Sequence, residues 1–222
     1  QEALVFVSAR EAARQRLFQH VPWLVELVVS AVEEYAAGLE YDNSTFEEAL
    51  RDIDPASMED MASMQDFARK MSEQDLAPKI ISKNPKALER LETILALIEG
   101  WVSFVADQAT QNLPKAPQIA ETFARRRVEG GPSEQVFETL VGLEIRPRMV
   151  REATAFWRDY DEKHGFEARD NLWLAPETLP TAKELENFKK YEDRVSEQLS
   201  FDDVDFDSEL KKLLDGGYDD NK

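Results

Sequence analysis

Ala9-Arg10-Glu11-Ala12-Ala13-Arg14, continuing through Leu17-Phe18 to Val21-Pro22-Trp23-Leu24, is the stretch that decides how this chain folds. Leu4, Val7, Ala12 and the Leu17-Phe18 pair recur at the three- and four-residue spacing of a helix, so an opening helix carries the R-E-A-A-R run. Pro22 starts a second helix that reaches about Gly38, with proline in the first turn and glycine at the end, each in its favoured place. Trp23, Leu24, Leu27, Val28, Ala31 and Tyr35 form its core face. In the first helix Arg10 and Arg14 stand one turn apart and project from the same side, with Glu11 between them.

With histidine at both arginine positions the run would read H-E-x-x-H. In that motif two imidazoles one turn apart grip a zinc ion and the intervening glutamate serves as base. Arginine cannot substitute, because guanidinium stays protonated, offers no lone pair and repels the cation. Alone, R-E-A-A-R is also what a solvated helix face contains, and its meaning comes from the rest of the chain.

Outward from this stretch the helical periodicity continues, with no internal repeat. Residues 40–84 are acidic and carry Met58, Met61, Met64 and Phe67 or Met71 at helical spacing. The stripe reads as ordinary packing of a helix on its own domain, with an adaptable Met-rich binding surface as the alternative. Asn84-Pro85 restarts a long helix from about Lys86 towards Asn112, with Leu88, Leu91, Ile94, Leu95, Ile98, Val102 and Val105 facing inward and Glu99-Gly100 in its middle. The Pro114–Pro117 loop leads into a helix ending near the breaker cluster Gly130-Gly131-Pro132, and Ser133 is placed to cap the next, which ends around Gly142. Arg146-Pro147 opens an amphipathic helix bearing Met149, Val150, Ala153, Phe156, Trp157 and Tyr160, stopped at His164-Gly165. A proline-rich loop after Trp173 precedes a short helix near Ala182–Tyr191. The acidic tail has a small face of Leu210, Leu213 and Leu214, loose unless a partner or the domain holds it.

Over about residues 5–190 the chain resembles a large, mainly actinobacterial family of zincin-like, zinc-dependent metalloproteases, also described as hydrolases. The segments that carry the resemblance are Ala9–Leu24, Leu97-Ile98-Glu99-Gly100-Trp101-Val102, and Glu121-Thr122 with Arg125-Arg126-Arg127, Gly130-Gly131-Pro132 and Glu134. They continue through Phe137, Leu140-Val141-Gly142-Leu143-Glu144, Arg146-Pro147-Arg148, Ala153 and Phe156-Trp157 to Arg169-Asp170-Asn171-Leu172-Trp173, Pro176 and Leu179-Pro180-Thr181. Order and approximate spacing agree throughout. The resemblance implies a zinc-peptidase scaffold with Glu99 at the position of a carboxylate third ligand, and Glu34, on the helix after the motif, as an alternative. Family members usually carry a longer portion ahead of the motif, so an N-terminal part is expected to be missing from this sequence.

The 222 residues, 42% hydrophobic, suffice for one substantial core. The expected organisation is an all-α, multi-helix zincin-like domain over 1–195 with an acidic tail over 196–222. The most apolar window, Leu24–Val32, is broken by Glu26, so no integral membrane span is expected. No secretory signal is visible, and the absence of cysteine removes disulfides, thiolate metal sites and cysteine nucleophiles from this sequence. A cytoplasmic location is expected. The net charge of −18 argues against sequence-independent nucleic-acid binding, which needs clustered Lys and Arg. The acidity reads as a solubilising surface, with a basic partner as the alternative.

Catalytic zinc needs three protein ligands and an open position. Glu99 and Glu34 have no imidazole beside them. His20 and His164 are the two histidines, and His20 lies six residues beyond Arg14, about 120° away round a helix. No zinc or other cofactor is therefore expected, and no catalytic residue is assigned. Arg10, Glu11 and Arg14 are a degenerate motif, and Glu34 and Glu99 are remnant carboxylates. The arginines either replace the ion with salt bridges to Glu99 or Glu34, leaving Glu11 to pair, or form an anion pocket for a carboxylate or phosphate. The Arg125-Arg126-Arg127 run lacks a phosphate-loop pattern and reads as pairing with Glu121, Glu134, Glu138 and Glu144. The sequence thus predicts a zincin-like protein that has lost zinc and peptidase activity and acts by binding a protein partner or regulating it. The alternatives are an active metalloprotease or hydrolase with an atypical site around Glu11, Glu34, Glu99 and His20, and a structural subunit of an oligomer or larger assembly.

Overall fold

Asn84 begins the element around which the others gather: its side-chain oxygen accepts from Ala87 N at 3.1 Å, and Pro85 occupies the first turn. In a computed structural model, which describes residues 1–42, 79–129 and 147–197 with the isolated positions 44, 69 and 211, this helix runs Pro85–Thr110. In chain order the described elements are α1 (Glu2–His20), α2 (Pro22–Ala37), β1 (Leu39–Asp42), β2 (Lys79–Ser82), α3 (Pro85–Thr110), α4 (Ala116–Glu129), α5 (Pro147–Asn171), a 3-10 turn (Pro176–Thr178), α6 (Ala182–Glu186) and α7 (188–197). The expected Met stripe, the Gly130-Gly131-Pro132 breaker, the Ser133-to-Gly142 helix and the tail beyond 197, apart from position 211, lie outside the described residues.

Among the described residues the architecture is all-helical but for one antiparallel two-stranded ladder, in which Leu39 pairs with Ser82 and Asp42 with Lys79. The sequence reading named no strand, and this pair lies at the two ends of the segment 40–84, outside the Met stripe. Lys83 N donates to Gly38 O at 2.9 Å, so the ladder ties the end of α2 to the start of α3.

α3 packs against α1, α2, α4 and α5, and this central position changes its burial. Leu91, Ile94, Ile98 and Val102 are buried as the periodicity predicts, but so are Ala96, Leu97, Trp101, Phe104 and Ala106, while Leu88, Leu95 and Val105 are only partly covered. A single-stripe reading assumes that one side faces water, and over residues 91–107 this helix has no exposed position. Gly100 marks the closest approach to α5. A Cβ there would stand 2.7 Å from Ala153 Cβ and 2.8 Å from Thr154 N, so only glycine lets the two helices meet.

α5 buries Val150, Ala153, Phe156 and Trp157 as expected, and Trp157 Nε1 donates to Leu97 O at 3.0 Å inside the core. Its ring stacks on Trp173 with centroids 5.2 Å apart. The expected stop at His164-Gly165 appears as a break at Gly165, with φ 83° and ψ 168°, after which helical residues resume to Asn171. The helix expected near Ala182–Tyr191 is divided at Asn187, whose extended backbone separates α6 from α7.

The opening helix forms where expected, with Leu17 buried and Phe18 partly so, but the rest of its buried face differs from the apolar set read from the sequence. Phe6, Arg10, Ala13 and Leu17 are inside, whereas Leu4 is 70% and Val7 42% exposed, and Ala12 faces outward. Of the residues chosen from the sequence only Leu17 belongs to the buried stripe of Phe6, Arg10, Ala13 and Leu17, one of whose four members is an arginine.

Candidate functional site

Arg10 occupies a core position of α1, spaced four residues from Phe6 and three from Ala13, and this places a guanidinium against the middle of α3. It is 8% exposed. Its Nη2 donates to Glu99 Oε2 at 2.9 Å and its Nη1 to Ser103 Oγ at 2.8 Å. One turn further on, Arg14 Nη2 donates to Glu99 Oε1, while Arg14 Nη1 donates to Glu11 Oε2 at 3.0 Å. Glu99 thus gives one carboxylate oxygen to each guanidinium, and Glu11 is tied down by Arg14 and by the Gln15 amide at 2.9 Å.

Arg14 and Glu11 are each held in the ionised form. Burial pulls the Arg14 guanidinium down, but the hydrogen bond and charge of Glu99 outweigh it and leave Arg14 raised. Glu11 is lowered, first by the Gln15 hydrogen bond and then, against slight burial, by Arg14.

Of the two carboxylates expected opposite the arginines, Glu99 is there and Glu34 is not. Glu34 accepts instead from Arg90 Nη1 at 3.2 Å, on a half-exposed part of the α2–α3 contact. Arg90 precedes Glu99 by nine residues, about 13 Å along a helix, so the two carboxylates serve different levels of α3. His20 is exposed at the end of α1 with Nδ1 2.9 Å from Arg16 O, and His164 lies against Tyr160 with ring centroids 4.5 Å apart. Neither joins the cluster.

A zinc ion does not fit this donor set. The side chains at the two motif positions present N–H groups, which donate, and the carboxylate opposite them already receives both guanidinium groups. Among the described residues no three His, Asp or Glu side chains are grouped to hold a metal.

The cluster forms one end of a cleft of about 800 Å³ between α1, α3, α4 and α5, reached by Arg10, Ser103, Asp107, Arg151 and Arg158 among others. Sequence reasoning missed Ser103 and Asp107. Their signal was present in the four-residue spacing of Glu99, Ser103, Asp107 and Gln111, a polar stripe along an otherwise apolar helix. Burial raises the Asp107 carboxyl, with Arg158 and Arg10 acting in the opposite sense. A second buried guanidinium, Arg169, was also missed: it donates to Asp170 at 2.8 Å and Asp161 at 3.0 Å and lies 5.3 Å from the Phe104 ring centre. Asp170 in turn accepts from Trp101 Nε1 at 3.2 Å, which locks α5 to α3. Arg125 pairs with Glu121 at 2.8 Å, as its reading predicted.

The described elements define an all-helical protein in which a motif helix lies across a central helix and meets its mid-point carboxylate through two arginines. A family model for zincin-like metallopeptidases matches residues 1–191, and the chain belongs to that family. No curated protein and no solved structure matches it significantly.

Proposed function

We propose that this zincin-like metallopeptidase family member has exchanged its catalytic ion for fixed charge and acts as a binding or regulatory protein, not as a peptidase. The observation that carries the reading is Glu99 receiving both Arg10 and Arg14 across the α1–α3 contact. Two guanidinium groups supply the positive charge that a metal would bring, and they supply hydrogen bonds to the same carboxylate, so the helix contact is kept without a Lewis acid. Glu11, the position of the base, accepts from Arg14 and Gln15. No cofactor is assigned, and the reading includes a protein partner and a cytoplasmic setting. Among the described residues no helix is long and apolar enough to cross a membrane.

The test is metal content and activity of the same preparation. Protein purified without chelator should carry well under one zinc per chain, and hydrolysis of a mixed fluorogenic peptide set should stay at background with or without added zinc. Stoichiometric zinc, or peptidase activity abolished by a chelator, would overturn the reading.

A further inference from the structure

The cleft beside the cluster has a volume in the range of small-molecule sites, roughly 300–1,000 Å³, and two kinds of wall. One is apolar: Phe6 and Phe123 meet with ring centroids 5.6 Å apart, and Phe123, on the lining, remains 36% exposed. Val150 lies on the same lining. The other wall is cationic. Arg151, Ala155 and Arg158 follow one another at four and three residues on α5, so they share the face turned to the cleft. Arg148, on the same helix, is paired with Glu152, and Arg125, on α4, with Glu121. Arg151 and Arg158 have no ion-pair partner among the described residues, in a chain whose net charge is −18. Asp107 is the opposing carboxylate, half-buried near Arg158 and Arg10 and without a contact partner of its own among the described residues. Two uncommitted arginines outnumber it.

We propose that this cleft binds a small organic carboxylate with an apolar body, its carboxylate held by Arg158 and Arg151 across Ala155 and its body laid against Phe6, Phe123 and Val150. Planar guanidinium forks match a carboxylate, and a ligand that places its hydrocarbon on exposed Phe123 removes apolar surface from water. The small side chain of Ala155 leaves room between the two arginines. The proposal rests on the binding reading in that it assigns the ligand no reaction. Zinc analysis and carboxylate titration fail separately, so a zinc-bearing protein would overturn the first reading and leave the isotherm to decide the second.

The experiment is isothermal titration calorimetry of the full chain with sodium butyrate, octanoate and decanoate, and with octylamine hydrochloride as the cationic comparator. Octanoate and decanoate should bind one per chain, with affinity rising about fourfold per added methylene, and octylamine should give no saturable heat. The double variant Arg151→Ala/Arg158→Ala should weaken decanoate at least tenfold. Ala155→Trp, which fills the cleft from an exposed position, should abolish binding while the melting temperature stays at the parent value. Asp107→Asn should tighten binding by removing the opposing charge. The proposal is overturned by the absence of decanoate binding at millimolar concentration, by equal affinity in parent and double variant, or by octylamine binding as tightly as octanoate.

Discussion

Arg10 and Arg14 share a carboxylate but stand in different surroundings, and the difference predicts unequal costs. Arg10 and Glu99 have side chains 10% and 20% exposed, whereas Arg14 is 36% exposed. Glu99→Ala should therefore remove the carboxylate bound to a buried guanidinium and cost about 3 kcal/mol or more. Arg14→Ala should cost about 1 kcal/mol or less, since water screens that side of the cluster. Urea denaturation at pH 7 compares them directly, and equal losses would show that the cluster is not anchored at Arg10. Asp107 works the other way. Its carboxyl is raised above 3.8 by burial, so the folded state holds its proton more tightly than the unfolded chain. The resulting penalty is absent below pH 3.8 and complete above the folded value. Asp107→Asn should raise the urea midpoint at pH 7 and leave it unchanged at pH 3.

Elements whose ends carry chemical punctuation were legible, and those without it were not. Pro22, the Asn84-Pro85 pair, the Pro114–Pro117 loop and Gly165 each mark a boundary or break that the fold keeps. The strands escaped because Leu39-Glu40-Tyr41-Asp42 and Lys79-Ile80-Ile81-Ser82 are four residues each, far apart in sequence, and the first shows no inward–outward alternation. Pairing of that kind is set by tertiary position, not by local pattern. The aromatic residues of α3 and α5 gave a better guide. Trp101, Phe156 and Trp157 are buried, Trp23 is partly buried, and Phe137 and Leu140 lie outside the described residues. Trp157→Ala removes a fully buried ring and its bond to Leu97, and should cost about 3 to 5 kcal/mol by urea denaturation. At α6, the Thr181–Glu184 capping box and Arg194 hold the Glu184 carboxylate. Burial raises that carboxyl, but the Arg194 and Thr181 hydrogen bonds outweigh it and leave Glu184 below 4.5. The stability it confers is full above pH 4.5 and lost as the pH falls through the folded value. The deficit of Glu184→Gln against the parent should therefore shrink as the pH is lowered below 4.5, read from thermal melts across that range.

At the scale of the molecule, the motif helix, the central helix and the carboxylate between them were legible because the family segments fix their order, even though the motif's own chemistry is altered. Ser103, Asp107 and Arg158 were not singled out, since nothing local announces that a polar position on α3 and one on α5 border the same cleft. The arrangement makes a direct test of descent from a metal site. Imidazole is shorter than the arginine side chain, so Arg10→His with Arg14→His opens a gap between α1 and Glu99 where the guanidinium groups now lie. Two imidazoles and a glutamate are an established zinc set with a fourth position for water, and Glu11, released from Arg14, would stand beside it. Without metal the double variant should be less stable than the parent, because Glu99 loses its bonds to the Arg10 and Arg14 guanidinium groups at a contact largely closed to solvent. Zinc should restore that loss, since a ligand that binds the folded state alone raises the unfolding free energy by mass action, about 2.7 kcal/mol at a hundredfold excess over its dissociation constant. Thermal melts with and without zinc measure this, with the parent as the control expected to show no comparable gain. A double variant that folds but neither binds zinc nor melts higher in its presence would mean that the α1–α3 contact has moved away from a metal-binding geometry, even though the helices and the family remain the same.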